Sequence, residues 1–202
     1  MSSRGSLIIL SAPSGGGKSS LAKALREANA NISVSVSHTT RAPRPGEVDG
    51  VDYHFVTPEA FQTMVQAGDF LEYAKVFDNY YGTSRAAVET ELAQGKHVLL
   101  DIDWQGMREI KAQWADAISI FILPPSKEAL EQRLRGRGQD SEEIIARRMR
   151  DAVSEMNHCH EFDFLVVNDV FDSALADLMA IIEGYPEQAR RITLDIEDLL
   201  AN

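Results

Sequence analysis

The chain has 202 residues, 44% hydrophobic and 25% charged, enough for one domain with its own core. Its 31 Asp and Glu against 20 Lys and Arg give a net charge of −11, which excludes the broad basic surface of a general nucleic-acid or anionic-membrane binder. A single cysteine, Cys159, excludes an intrachain disulfide, and no apolar run approaches membrane-spanning length, so a soluble, cytoplasmic protein is expected.

Leu7 to Leu10 is a continuous apolar run suited to a strand buried on both faces. It leads into SAPSGGGKSS, after which Leu21, Ala22 and Leu25 fall at helical spacing. The order is strand, glycine loop, helix. Ala12 to Ser19 has Walker A spacing, with Ala12 at the position where the motif commonly has Gly. Gly15, Gly16 and Gly17 lack a Cβ, so successive backbone N–H groups can turn inward around phosphate oxygens. The helix opening near Lys18 adds its positive end. Lys18 is placed to reach the β- and γ-phosphates, and Ser19 to offer a hydroxyl to Mg²⁺. Pro13, Ser14 and Ser20 complete the expected nucleotide-binding loop, with ATP as the donor.

Further on, Ile32, Val34 and Val36 alternate with Ser33, Ser35 and Ser37, the pattern of a half-buried strand. TTRAPRPGEVDGVDYHF, Thr39 to Phe55, reads as a loop that ends in a strand at Tyr53 to Val56. Pro43 and Pro45 restrict Ala42 and Arg44 to extended backbone, and Gly50 lets the chain turn back. Arg41 and Arg44 on this segment can neutralise a phosphate by paired hydrogen bonds, with Tyr53 as a phenolic donor.

Thr57-Pro58 is a helix start, cap then first residue. DFLEYAKVF reads as a strand with Glu72 at its centre, NYYGTS as a turn, and Ser84 to Gln94 as a helix stopped by Gly95. HVLLDID and ISIFIL are short apolar strands, the second ended by Pro124-Pro125 before Ser126 caps a helix. Asp140 with Glu143 resembles a capping box that opens a helix from Ser141 to Cys159. In NHCHEF, one Cys and two His are too thin a set for a metal, and a helix end is expected. FDFLVVN is one more strand, followed by helices over Asp172–Glu183 and Glu187–Leu200. Apolar strands alternating with helices indicate an α/β fold with a parallel sheet, and residues 38 to 95 interrupt that rhythm as an insertion.

The loop alone leaves an ATPase, a GTPase and a small-molecule kinase open. A GTPase would carry an Asn-Lys-x-Asp base-reading motif, which is not in the sequence. Thr39-Thr40-Arg41, Arg44, Glu47, Gly50, Tyr53 and Phe55, together with FLEYAKV, NYYGT, LLDIDWQG, RLRGRG, ARRM and VVND, resemble the guanylate kinase family over nearly the whole chain. The resemblance implies a three-layer α/β/α P-loop NTPase fold with a parallel core sheet, an inserted mixed α/β GMP-binding lobe and a helical lid. The implied division is a core of residues 1–37, 96–132 and 160–202, a lobe of about 38–95 and a lid of about 133–159.

The implied reaction is ATP + GMP to ADP + GDP, with MgATP as donor, and the implied partners are these two small molecules rather than nucleic acid or membrane. Arg41, Arg44, Tyr53 and Tyr81 would hold the GMP phosphate, and Ser37 and Thr83 would face the base. Guanine presents N1–H and N2–H₂ as adjacent donors, which the Glu72 carboxylate can accept together. Adenine has an acceptor at N1 and would leave that carboxylate partly unpaired. Asp101, at a strand end, resembles a Walker B acid but matches a GMP-binding position in the family, and Asp103 is the alternative nearer the metal. Six arginines lie between Arg133 and Arg150. Of these, Arg137 and Arg148 match lid residues that contact the transferring phosphate, while Arg133 and Asn168 match positions beside adenine. A catalytically inactive guanylate-kinase-like interaction module is the rival from another class.

Overall fold

The computed structural model describes residues 4–76, 78–136 and 141–200. Strand β1 (Leu7–Ser11) runs into helix α1 (Lys18–Ala28), followed by β2 (Ile32–Val34), β3 (His38–Thr39), β4 (His54–Phe55) and α2 (Pro58–Ala67). A hairpin of β5 (Phe70–Val76) and β6 (Asn79–Ser84) precedes α3 (Arg85–Ala93), β7 (His97–Asp101) and α4 (Trp104–Gln113). The chain continues through β8 (Ile118–Leu123), α5 (Lys127–Arg135), α6 (Glu142–Met156), β9 (Phe164–Val167), α7 (Phe171–Ile182) and α8 (Ile196–Leu200).

Among the described residues, β2, β7, β1, β8 and β9 form one parallel sheet in that order. The apolar runs are continuous because both faces of this sheet are covered. Leu7 and Ile9 of β1 point to one side with Val98, Leu100, Phe121 and Leu123, where α3 to α6 and α8 pack. Ile8 and Leu10 point to the other side with Leu99, Ile120 and Ile122, against α1 and α7. This is the expected three-layer α/β/α arrangement. β1 lies between β7 and β8, so the chain reverses direction across the sheet at the carboxyl end of β1, where an open α/β sheet leaves a crevice for ligand.

The insertion forms a second sheet of β4, β3, β6 and β5, mixed parallel and antiparallel. Two expectations fail here. NYYGTS is a strand rather than a turn, paired antiparallel with β5 from Asn79–Val76 to Ser84–Phe70. Its glycine serves packing: a Cβ on Gly82 would stand 2.9 Å from the Phe70 ring. The Ser-alternating strand is also shorter than expected. It leaves the core sheet after Val34, and His38–Thr39 already belongs to the second sheet. Helix α3, grouped with the insertion by its position in the sequence, sends Val88 and Leu92 into the main core.

Helix caps follow local chemistry. The Thr57 and Ser126 hydroxyls accept from Ala60 N at 3.2 Å and Ala129 N at 3.1 Å, as expected. Ser141 caps α6, accepting from Ile144 N. Asp140, expected to open that helix, lies outside the described residues. The NHCHEF segment ends α6 in a 3-10 turn, with Cys159 buried and His158 stacked on Trp104 at 3.7 Å.

The expected helix over Glu187–Leu200 is replaced by a 3-10 turn at Pro186–Gln188 and an irregular strap, with α-helix only at Ile196–Leu200. Arg190 causes this. Its guanidinium reaches Asp177 at 2.8 Å, Asp169 at 3.0 Å and the Val167 carbonyl at 3.1 Å, and so draws the strap along edge strand β9.

Candidate active site

The glycine loop leaves β1 and closes on α1, whose first residue is Lys18. Gly15 and Gly17 take φ of +86° and +93°, the left-handed region that favours glycine. Gly16 N donates to the Pro13 carbonyl at 2.8 Å, which tightens the turn. Behind the loop, Asn168 is 5% exposed and donates from Nδ2 to the Gly16 carbonyl at 2.9 Å. Arg133 in turn donates to the Asn168 carbonyl at 2.7 Å. Arg133 and Asn168, assigned beside adenine by resemblance, thus form a buttress for the loop here.

Ala12, Pro13, Ser14, Gly15, Gly17, Lys18, Ser19 and Ser20 line a cavity of ≈ 300 Å³, joined by Glu155 from α6. Lys18 is paired with Asp101 at the end of β7. Asp101 also lines a second cleft of ≈ 430 Å³, together with Ser37, Tyr53, Glu72, Tyr81 and Asp103. One acid therefore stands between the loop and the cleft. Asp103 caps α4, accepting from Gly106 N at 2.8 Å.

Glu72 is 7% exposed and accepts from the Thr83 hydroxyl at 2.6 Å. Burial pushes its pKa up to about 7; the Thr83 hydrogen bond opposes this, and the Glu109 and Asp103 charges add to it. Glu72 also approaches the first turn of α4, where a Cβ on Gly106 would lie 3.4 Å from Glu72 Oε2. Tyr53 and Tyr81 face each other across the cleft wall, ring centroids 6.0 Å apart. Burial raises the Tyr53 pKa.

The two loop arginines stand differently. Arg41 donates to both Glu47 oxygens, at 3.0 and 2.7 Å, and to the Ala42 carbonyl at 2.9 Å. Its guanidinium carbon lies 5.3 Å from the Tyr53 ring centroid, and the Glu47 hydrogen bonds hold the group still more firmly protonated. Glu47 also accepts from Arg44 N at 2.7 Å, so a single carboxylate fastens the loop. Neither Arg41 nor Arg44 is among the residues lining the cleft. Gly50, at φ +76°, turns the chain back as expected, its N–H donating to the Tyr53 carbonyl at 2.8 Å. Arg148 is half-buried on α6 beside the apolar stripe of Ile145, Met149, Ala152, Val153 and Met156. Arg137 lies outside the described residues.

A family model described as guanylate kinase matches residues 4–185. The chain belongs to the guanylate kinase family. Guanylate kinase from Shewanella sp. (strain MR-7) is 61% identical over 91% of this chain and 89% of that protein. The crystal structure of guanylate kinase from Anaplasma phagocytophilum superposes with a TM-score of 0.73 at 36% identity, covering 93% of this chain and 88% of that one. An SH3-kinase fragment of tight junction protein 3 reaches a TM-score of 0.50 at 17% identity, covering 96% of this chain and 61% of that one, and shares the fold alone.

Beside the guanylate kinase motifs, three residues gained a place only from the structure. Glu47 was visible as part of the pattern, but its grip on Arg41 was not. Glu155 carried no signal, since its approach to the loop depends on how α6 packs. Gly106, within LLDIDWQG, leaves room chiefly for Ile102, whose side chain would lie 3.2 Å from a Cβ there, and stands beside Glu72.

Proposed function

We propose that the chain transfers the γ-phosphoryl group of ATP to GMP, giving ADP and GDP. The observation that carries this reading is Glu72, a buried carboxylate in a cleft that shares Asp101 with the phosphate loop. Guanine N1–H and N2–H₂ satisfy Glu72 as it ionises, with Ser37 and Thr83 at the base and Tyr53 and Tyr81 toward the phosphate. Arg41, already oriented by Glu47, and Arg44 then close on that phosphate.

The transfer needs positioning and charge neutralisation more than proton abstraction. The GMP phosphate has its second pKa near ~6 and is mostly dianionic at neutral pH. One of its oxygens forms the new bond to the γ-phosphorus while the bond to the β–γ bridging oxygen breaks. ADP leaves with that electron pair. Lys18 exchanges Asp101 for the β- and γ-phosphates, and Arg137 and Arg148 approach the equatorial oxygens from the lid. The Ser19 hydroxyl, exposed at the loop cavity, is an oxygen donor that fits a hard divalent cation. Mg²⁺ held there would neutralise charge across the β- and γ-oxygens.

In this reading the core, the inserted lobe and residues 133–159 act as three bodies, and a reducing cytoplasmic compartment suits the single buried Cys159 thiol. An interaction module without activity has no need of Lys18 and Ser19 at the loop. The test is ADP formation in a coupled assay with MgATP and GMP. Activity that depends on GMP, and a Lys18→Met variant that loses at least about 10²-fold in kcat with little change in KM for GMP, is the expected result. No GMP-dependent ADP formation would overturn the reading.

A further inference from the structure

We propose that Glu155 competes with nucleotide for the phosphate seat of the loop: its carboxylate occupies the loop when no nucleotide is bound and must leave before a phosphate can enter. The side chain reaches from α6 into the cavity formed by Pro13 to Ser20. Its Oε2 is fully buried without a hydrogen-bond partner among the described residues. The Lys18 charge and the Ser14 backbone N–H both favour its ionised form. Asp103 and Asp151 repel it, and burial raises its pKa.

An unpaired carboxylate oxygen in such a place is costly unless the seat itself favours an anion. This seat does: the groups that favour the ionised Glu155 carboxylate are a loop N–H and the loop lysine, of the kind a nucleotide phosphate needs. Carboxylate and phosphate disfavour each other at those donors, because each is negative. Glu155 also lies seven residues after Arg148 on α6. That spacing puts the two on one helix face about 10 Å apart. A shift of α6 that withdraws the acid therefore also moves the guanidinium.

The proposal rests on the loop being the ATP phosphate site, and goes beyond it in assigning Glu155 a direct effect on nucleotide affinity and ADP release. Titration calorimetry of the whole chain with ADP, and separately with GMP, compares the wild type with Glu155→Gln. The variant is expected to bind ADP about tenfold more tightly, with GMP affinity unchanged and a proportionately slower ADP dissociation in stopped flow. Glu155→Asp keeps the charge but draws it back by one carbon, and is expected to fall between the two; it carries the test if Glu155→Gln does not fold. Equal or weaker ADP binding by the variants, or an equal tightening for GMP, would overturn the proposal. A wild type that binds GMP but not ADP would instead overturn the phosphate-loop reading beneath it.

Discussion

Glu72 answers to opposing demands. Burial favours its neutral form, whereas the proposed guanine contact needs its ionised form to accept two hydrogen bonds. With the pKa at about 7 in the empty protein, GMP bound as proposed would select the ionised carboxylate and pull that pKa down. KM for GMP should therefore rise as pH falls below about 7, while KM for ATP stays flat; steady-state kinetics across pH 5.5 to 8.5, on the order of one point per half unit, checks this. Thr83→Val removes the hydrogen bond that holds the pKa down, so the midpoint of that rise should move to higher pH. Stability follows the same sign. The folded pKa lies above the ordinary 4.5, so Glu72 contributes stability below that value and loses it as pH rises through about 7. Glu72→Gln should remove this loss, by roughly 3 kcal/mol at most, and melt higher at pH 8 than the wild type. The same substitution should lower kcat/KM for GMP by about 10³-fold, because the guanine donors lose their anionic acceptor.

At the scale of the element, the phosphate loop owes its shape to glycine and to Asn168 together. A Cβ on Gly17 would stand 2.3 Å from Asn168 Nδ2, on a residue whose φ is +93°. Gly17→Ala should destabilise the fold by about 2 kcal/mol and abolish ATP binding; adding Asn168→Ala relieves the contact but not the dihedral strain, so a double-mutant cycle in urea should show only partial rescue. The strap after α7 offers a second case. Asp177 is 5% exposed and depends on Arg190, so Arg190→Met leaves a buried carboxylate with a backbone N–H but no countercharge and should cost about 3 kcal/mol in urea unfolding.

The strap was illegible beforehand because its course is fixed by long-range bonds to Asp169 and Val167, not by local propensity. NYYGTS misled for a related reason: its glycine looks like turn punctuation, but only the approach of the Phe70 ring explains it. Elements whose signal is local were legible: the buried strands, the Thr57 and Ser126 caps and the Lys18 helix start.

On the scale of the whole molecule, an acidic chain pairs the cations of its two proposed anion seats with its own carboxylates. Lys18 is held by Asp101 and attracted by Glu155, and Arg41 by Glu47, so each cation already has a carboxylate partner in the empty protein. In the proposed function, substrate phosphates replace those carboxylates. The sequence motifs pointed to Lys18, Arg41 and Arg44 as expected phosphate donors and to Glu72 as the proposed base reader. They could not identify the internal partners, because pairing across 83 positions from Lys18 to Asp101 belongs to tertiary structure. Nor did they reveal that Asn168 and Arg133 also brace the loop from behind.

The central claim, that GMP is the acceptor and that Glu72 selects it, is tested most directly by competition. Wild-type protein and Glu72→Gln are given [γ-³²P]ATP, Mg²⁺ and equimolar GMP and AMP, and the labelled diphosphates are separated. The wild type should place nearly all label in GDP, and the variant should lose most of that preference. Wild-type label divided evenly between GDP and ADP, or a variant that keeps full preference for GMP, would contradict the account.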